Sequence, residues 1–268
     1  MFNKIIIGRF MPGNSWIHRL DARTKLIISI LFIFVIFLAT SVPAYLLAGL
    51  LTLVVIMMTG LGFKTFLRGI RPLLFLMLLT TFLQIFFVTT GTVLWQFGWI
   101  KVTTDGLING AAIFVRFMLI IIFSTVLTLT TQPLEIADAM EALMKPLKRI
   151  GVPVAELALM ISIALRFVPT LLDEAETIMN AQRARGVLFN EGHLIHRIKA
   201  FVPLLIPLFI NAIKRAIELG DAMEARGYRG DTERTKYRVL TWQRQDTIAM
   251  AGFLLFVVIL IGMKFIFG

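Results

Sequence analysis

The sequence predicts an all-α, polytopic membrane protein with about five transmembrane helices and a cytoplasmic module of about three amphipathic helices. Three observations carry that expectation. Of 268 residues, 58% are hydrophobic and only 16% charged, against about 25% charged in an ordinary soluble domain. Charge-free runs are long: 38 residues from Leu26 to Phe63, 29 from Pro72 to Ile100, 18 from Phe117 to Leu134 and 17 from Thr247 to Met263. The charges are also segregated, with 16 basic and 13 acidic residues in positions 131–245 and only 11 and 3 in the rest of the chain. The domain division expected is 1–132 (N-terminal tail and four spans), 133–245 (the amphipathic cytoplasmic module) and 246–268 (a last span).

A span needs about 20 mostly apolar residues. The 38-residue run is nearly twice too long for one crossing, so it is read as two helices, about 26–41 and 44–60, folded at Thr40-Ser41-Val42-Pro43. Further spans follow at about 73–90, 108–130 and 247–266. Ala39-Thr40-Ser41 is a passable cleavage site, but the first apolar run starts only at Leu26, so the first span is expected to stay uncleaved. Orientation follows from the basic residues. Lys4, Arg9, Arg19, Arg23 and Lys25 precede the first span, and Lys64, Arg68 and Arg71 follow the second. Only Lys101 and Lys264 stand on the other side. The N-terminus and residues 133–245 are therefore expected in the cytoplasm. This topology accounts for most of the net charge of +11, and no basic run interleaved with aromatics suggests nucleic acid.

Inside the module, Pro133 and Gly151-Val152-Pro153 punctuate a short amphipathic helix over about 134–150. Val152–Leu172 and Ala200–Ile213 are apolar enough to resemble spans. The second would be only ~21 Å long as a helix, and Pro203 and Pro207 favour a bend in it. If both crossed, the loop carrying Arg183, Arg185, Arg197 and Lys199 would lie outside, against the basic-residue bias. They are read instead as long helices on the membrane surface or against other protein. Leu171, Leu172, Ala175, Ile178 and Met179 fall on one helical face, and Ile206, Ile210, Ile213, Ile217 and Gly220 on another. With Phe201, Leu205 and Phe209, these faces form an apolar surface suited to another membrane protein.

Both long helices end alike, at Ala181-Gln182-Arg183-Ala184-Arg185-Gly186 and Ala222-Met223-Glu224-Ala225-Arg226-Gly227, 41 residues apart. Glycine past a helix end and arginine in the last turn are ordinary terminators. Two copies imply more: Arg185 and Arg226 at two tips suit forked bonds to carboxylates in two equivalent grooves.

Other chemistry is weakly represented. Without cysteine there is no thiolate metal site and no thiol nucleophile. There is no phosphate-binding Gly-x-x-x-x-Gly-Lys motif, and Gly60-Leu61-Gly62 is a loop. His193-x-x-His196 lacks a third ligand nearby, and Asp173, Glu174 and Glu176 read as a wetted helix face. Arg116 is the one charge well inside a span, where charge is costly. No carboxylate shares its helix at that depth, and it is read as a structural tie from its span to the cytoplasmic module.

The paired endings, this topology and the stretch Gly13-Asn14-Ser15-Trp16-Ile17-His18-Arg19-Leu20-Asp21-Ala22-Arg23-Thr24-Lys25-Leu26 together resemble the transmembrane coupling subunit, the T component, of energy-coupling factor (ECF) importers. Ala22 departs from the proline usual there, with little expected consequence behind an Asp N-cap. The resemblance implies a non-catalytic subunit of the cell membrane, surrounded by membrane lipids. Two ABC-type ATPase subunits, a homodimer or a heterodimer, would be held through Ala184-Arg185-Gly186 and Ala225-Arg226-Gly227. A separate substrate-binding S component for a vitamin or metal ion would lie on the surface of Leu171, Leu172, Ile178, Phe201, Leu205, Phe209 and Ile213. ATP and Mg belong to the partner ATPases, and no cofactor is expected on this chain. The competing readings are a stand-alone permease, which needs polar groups converging inside the spans, and a membrane-embedded enzyme, which needs paired carboxylates or metal ligands.

Overall fold

The computed structural model describes residues 10–88, 90–97, 100–187, 189, 193–228, 230 and 240–267. The chain divides into two compact units, Met1–Leu143 with Leu240–Gly268, and Met144–Val239. The N-terminal residues Lys4 and Arg9 and the basic residues of 231–239 lie outside the described residues.

The first unit opens with α1 (Trp16–Arg19) and α2 (Ala22–Val35), the latter continued by a 3-10 turn, Ile36–Leu38. After a reversal at residues 39–41 come α3 (Val42–Thr59), α4 (Phe63–Ile70) and α5 (Leu74–Phe87). A hairpin of β1 (Val93–Phe97) and β2 (Ile100–Thr103) leads into α6 (Thr104–Thr130), α7 (Pro133–Met144) and, after the second unit, α10 (Arg244–Phe267). The second unit holds a 3-10 segment, Lys145–Ile150, and two long helices, α8 (Val154–Ala184) and α9 (Leu194–Ala225). The all-α class stands, with one antiparallel hairpin.

Five helices are long and apolar enough to cross a membrane, namely Val42–Thr59, Thr104–Thr130, Val154–Ala184, Ile198–Ala225 and Arg244–Ile266. The pair α4 and α5, bent by 62° at its break, adds a sixth candidate. This differs from the sequence expectation in several places. The long helices α8 and α9 qualify by length and composition alone; what set them apart in the sequence was the bias of basic residues, which length and composition do not register. Pro169 in α8 and Pro203 and Pro207 in α9 lie inside helices that continue past them. The third expected span, 73–90, holds the single helix α5, which reaches spanning length only together with α4 across the bend. Helix α2 starts at Ala22, four residues before the expected span, because Asp21 caps it by accepting a bond from the Arg23 backbone N–H.

The core of the first unit is aromatic where α2, α6 and α10 meet. Phe32 stacks on Phe123 with centroids 4.1 Å apart, and Phe256 lies 6.3 Å from Phe32. Helices α5 and α6 approach closely through glycine: a β-carbon on Gly106 would fall 2.9 Å from the Ile85 carbonyl oxygen, and one on Gly110 would fall 2.9 Å from Ile85 Cγ1.

Two basic side chains set the register of α2 against α6. Lys25 Nζ donates to the carbonyl of Thr130, the last residue of α6, at 3.0 Å. In the other direction, Arg116 Nη2 on α6 donates to the carbonyl of Ala39, just beyond α2, at 3.2 Å. Each cation thus satisfies a free carbonyl at the C-terminal end of its neighbour, where the helix dipole is negative.

The N-terminal stretch is a clasp on these same ends. Ser15 Oγ and His18 Nδ1 are 2.6 Å apart, and His18 Nε2 bonds the Met11 carbonyl at 3.1 Å. The Met11 N–H donates to the Leu129 carbonyl. Gly13 is small because a β-carbon there would lie 2.7 Å from the His18 ring. Asp21 donates its N–H to Oδ1 of the fully buried Asp246, whose Oδ2 accepts from the Gln243 N–H, both at 2.8 Å. Arg23 closes the ring by forking onto Asp21 and bonding the Leu240 carbonyl. One short motif therefore ties the start of α2, the end of α6 and the start of α10.

Lys25→Met keeps the aliphatic stem but leaves the buried Thr130 carbonyl unpaired. The expected cost is about 1–3 kcal/mol, read as a lower thermal-unfolding midpoint of the purified chain in mild detergent, with Lys25→Arg closer to wild type.

Candidate functional site: two helix tips and the groove between their helices

In the second unit, α8 and α9 end in the same backbone geometry. Arg185 closes α8 at φ −86°, ψ 5°, and Arg226 closes α9 at φ −86°, ψ 8°. The following glycines are left-handed, Gly186 at φ +87° and Gly227 at φ +73°, where a side chain is strained. The Gly186 N–H donates to the Arg183 carbonyl and the Val187 N–H to that of Gln182, at 2.9 and 3.0 Å. On α9 the Gly227 N–H donates to the Glu224 carbonyl and the Tyr228 N–H to that of Met223, at 2.8 and 2.9 Å. Both ends are Schellman caps.

This geometry separates the two roles that the Ala-Arg-Gly sequence left entangled. The cap is built from backbone N–H groups and the left-handed glycine. Neither guanidinium, on Arg185 or Arg226, bonds a terminal carbonyl among the described residues, and both side chains are exposed. Ala184 and Ala225 precede them, also exposed, so each arginine stands on a tip with little bulk beside it.

The tips are equal in backbone and unequal in charge. The 41-residue offset sets Asn180 against Asp221 and Arg183 against Glu224. Arg183 folds back on its own unit, with Nη1 near Asn180 Oδ1 at 3.5 Å and its guanidinium 5.9 Å from the Phe189 ring. The first tip carries Arg183 and Arg185, whereas the second has Asp221 and Glu224 before Arg226 and Arg229 after it.

Three turns before each tip the helices are joined. Arg215 Nη2 of α9 forms an ion pair with Glu174 Oε1 of α8, and the same guanidinium lies over the Phe167 ring at 5.5 Å. Both side chains are largely buried, 29% and 23% exposed. The carboxylates read as a wetted face thus include one that is not wet: Glu174 faces the partner helix, while Asp173 and Glu176 are exposed. The signal was present in the sequence, because the offset that relates the two endings also maps Glu174 onto Arg215, with opposite charge.

Between the helices runs an apolar groove of about 770 Å³, lined by Val168, Leu171 and Leu172 of α8 and by Leu205, Ile206, Phe209 and Ile210 among residues of α9. Of the expected partner surface, Leu171, Leu172, Leu205 and Phe209 line this groove. Ile178 packs instead on a small core of Met179, Phe189 and Leu204, and the Phe201 ring lies 5.5 Å from that of Phe189. Ile213 is exposed, outside the groove lining.

Two further sequence expectations are placed. The described bonds of Arg116 stay within the first unit rather than tying its span to the cytoplasmic module. Its Nη2 bonds Ala39 O and Tyr45 Oη, the latter at 2.6 Å, and its guanidinium lies over the Phe37 and Tyr45 rings. It therefore ties α6 to the reversal between α2 and α3, because that is where a free carbonyl and a hydroxyl lie at its depth. His193 precedes α9 and is exposed, while the His196 side chain lies outside those described. No cluster of three metal-ligating side chains occurs among the described residues.

A protein-family model described as Cobalt transport protein (CbiQ) matches residues 13–237. The chain is 56% identical over 252 residues to an energy-coupling factor transporter transmembrane protein EcfT of Lacticaseibacillus paracasei, covering 94% of this chain and 96% of that protein. It is 52% identical to the protein of that description from Lactobacillus helveticus, covering 100% and 95%. Identity to the Bacillus subtilis protein is 47%, over 98% of this chain and 100% of the relative.

The ion pair between the long helices can be tested without any partner. Glu174→Gln or Arg215→Gln is expected to cost about 1 kcal/mol, between the values for exposed and buried pairs. The exchange Glu174→Arg with Arg215→Glu should recover most of it, in a double-mutant cycle read by thermal unfolding.

Proposed function

The chain belongs to the CbiQ family and is a transmembrane component of the energy-coupling factor transporter kind; from this we propose that it couples ATP hydrolysis by two cytoplasmic ATPase subunits to movement of a separate substrate-binding membrane subunit. The observation that carries the proposal is the pair of exposed guanidiniums on identical caps that do not use them. Arg185 and Arg226 each dock on an ATPase subunit, forking onto acceptors in a groove of its surface. Residues 133–245 and the N-terminus lie on the cytoplasmic side of the cell membrane in this reading, in keeping with the distribution of basic residues.

The unequal charge around the tips favours two different ATPase subunits over two copies of one. A groove that suits Arg185 beside Arg183 presents net negative charge. A groove that suits Arg226, with Asp221 and Glu224 before it and Arg229 after it, presents mixed charge. One groove meets both demands poorly, since like charges placed together cost affinity.

The substrate-binding subunit lies on the apolar groove between α8 and α9. ATPase closure displaces the tips, and the Glu174–Arg215 pair turns that displacement into a change of the groove three turns away. The chain is then a non-catalytic coupler: ATP and Mg act in the partner subunits, and the substrate, a vitamin or other micronutrient, is chosen by the substrate-binding subunit. A permease acting alone is the competing reading.

Co-expression with candidate ATPase subunits and capture through a tag on this chain tests the proposal, for wild type, Arg185→Ala, Arg226→Ala and the double variant. Removing one charge-assisted hydrogen bond at a tip should cost about 1.5–3 kcal/mol. The double variant is expected to release the ATPases or to uncouple hydrolysis from uptake. Retained binding and uptake would reduce both endings to helix caps and bring the permease reading forward.

A further inference from the structure

Among the described residues, the charge of Arg116 is solvated but not neutralised. Between Asp21 and Glu135 the sequence holds one carboxylate, Asp105, which stands in the first turn of α6, ~16 Å of helix from Arg116. Helices α2, α3, α4 and α5 contain none. The acidic residue of α10, Asp246, is engaged at the clasp by Asp21 and Gln243. What Arg116 does bond is neutral: the Ala39 carbonyl, the Tyr45 hydroxyl and two aromatic faces. Its Nε is buried and has no partner among the described residues. A cation inside an apolar layer is costly, and with neutral partners alone Arg116 keeps a full positive charge to offer an anion from outside the chain.

Beside the guanidinium lies a cleft of about 360 Å³. Thr80 and Gln84 of α5 are its other polar walls, and Leu83, Ile113 and Phe117 are apolar. Phe37, Leu83 and Phe117 remain substantially exposed at its rim, so the cleft opens away from the helix core. Its depth follows from the two rungs between α2 and α6. Arg116 is level with Ala39 at the reversal after α2, and ~21 Å of helix separates it from the rung at Thr130. Against a hydrocarbon layer of ~30 Å, that places the guanidinium in the leaflet on the side of residues 39–41, within reach of a phosphate drawn slightly inward.

We propose that this cleft holds an anionic phospholipid of that leaflet, with its phosphate on Arg116, the Gln84 amide beside the headgroup, and an acyl chain along Leu83 and Phe117. The walls decide against a free inorganic anion, which would shed its water against leucine, isoleucine and phenylalanine in exchange for one cation. A lipid brings its own apolar chain to those walls.

The test uses the full-length chain in mild detergent, with lipid retention read by native mass spectrometry. Phosphatidylglycerol, phosphatidylcholine and inorganic phosphate are the probes. The variants are Arg116→Gln, Arg116→Lys and Leu83→Trp, the last of which fills the cleft while keeping the charge and its bonds to Ala39 and Tyr45. Phosphatidylglycerol should remain on wild type and Arg116→Lys and fall about tenfold on Arg116→Gln and on Leu83→Trp. Phosphatidylcholine should bind more weakly than phosphatidylglycerol, and millimolar phosphate should not displace the lipid. Equal retention on wild type and Leu83→Trp would overturn the proposal, whatever Arg116→Gln does to folding. So would equal retention of phosphatidylcholine, displacement by phosphate (a small-anion site), or expulsion of the lipid on assembly with partner subunits together with crosslinking of residue 116 to one of them (a protein interface).

Discussion

The structure is organised by how a basic side chain is satisfied where water is scarce. In two helix pairs the answer is the same: a cation on one helix finds its acceptor on or just beyond the next. Lys25 and Arg116 do this in opposite directions between α2 and α6, each capping the other's C-terminal carbonyl. Fourteen residues separate Lys25 from Ala39, and fourteen separate Arg116 from Thr130. The two rungs therefore match only in one antiparallel register. Asp21 and Asp246 extend that register to α10, and the aromatic stack of Phe32, Phe123 and Phe256 fills the space so defined. Arg215 on Glu174 is the corresponding tie between α8 and α9.

Against that rule, Arg185 and Arg226 stand out because nothing among the described residues uses their guanidiniums. A Schellman cap needs the glycine and two backbone N–H groups, and both helices have them. The arginine adds nothing to the cap that the backbone does not already provide, so its charge is free for a partner. The crossing pair lies eleven residues before each tip, Glu174 before Arg185 and Arg215 before Arg226. The helices also meet nearer the first tip, where Met179 packs with Leu204 and Phe189, and Leu208 borders both that core and the apolar groove.

Much of this was legible in the residues, and the gaps have physical causes. Charge-free runs located α3, α6 and α10, and the reversal before Pro43 followed from the ~30 Å a helix must span. The early start of α2 was hidden because Lys25 looks like a wet residue until a carbonyl is found for it. The break at 71–73 and most of the hairpin lie at the edges of the charge-free run Pro72–Ile100, and hydropathy does not distinguish a bent or extended apolar segment from a straight helix. The direction of Arg116 was misjudged because its acceptors, a backbone carbonyl and a tyrosine hydroxyl, carry no charge to mark them in a sequence. The paired endings and the groove residues Leu171 and Leu172 were visible from spacing, whereas Leu205 and Phe209 lie beside the stripe of Ile206 and Ile210 rather than in it. Ile178 shared the spacing of Leu171 but packs on Met179, Phe189 and Leu204, since a face at helical period does not say which neighbour it meets.

The central claim is that the tips move with nucleotide while the crossing holds. The chain has no cysteine, so spin labels can be placed on Asn180→Cys with Asp221→Cys, near the tips, and on Asp173→Cys with Lys214→Cys, beside the ion pair. Distances are then compared by pulsed electron resonance in the assembled complex without nucleotide and with ATP. The account expects the tip distance to change between the two states while the distance beside Glu174 and Arg215 stays constant. A tip distance that is the same in both states, or a crossing that opens as far as the tips do, would contradict it.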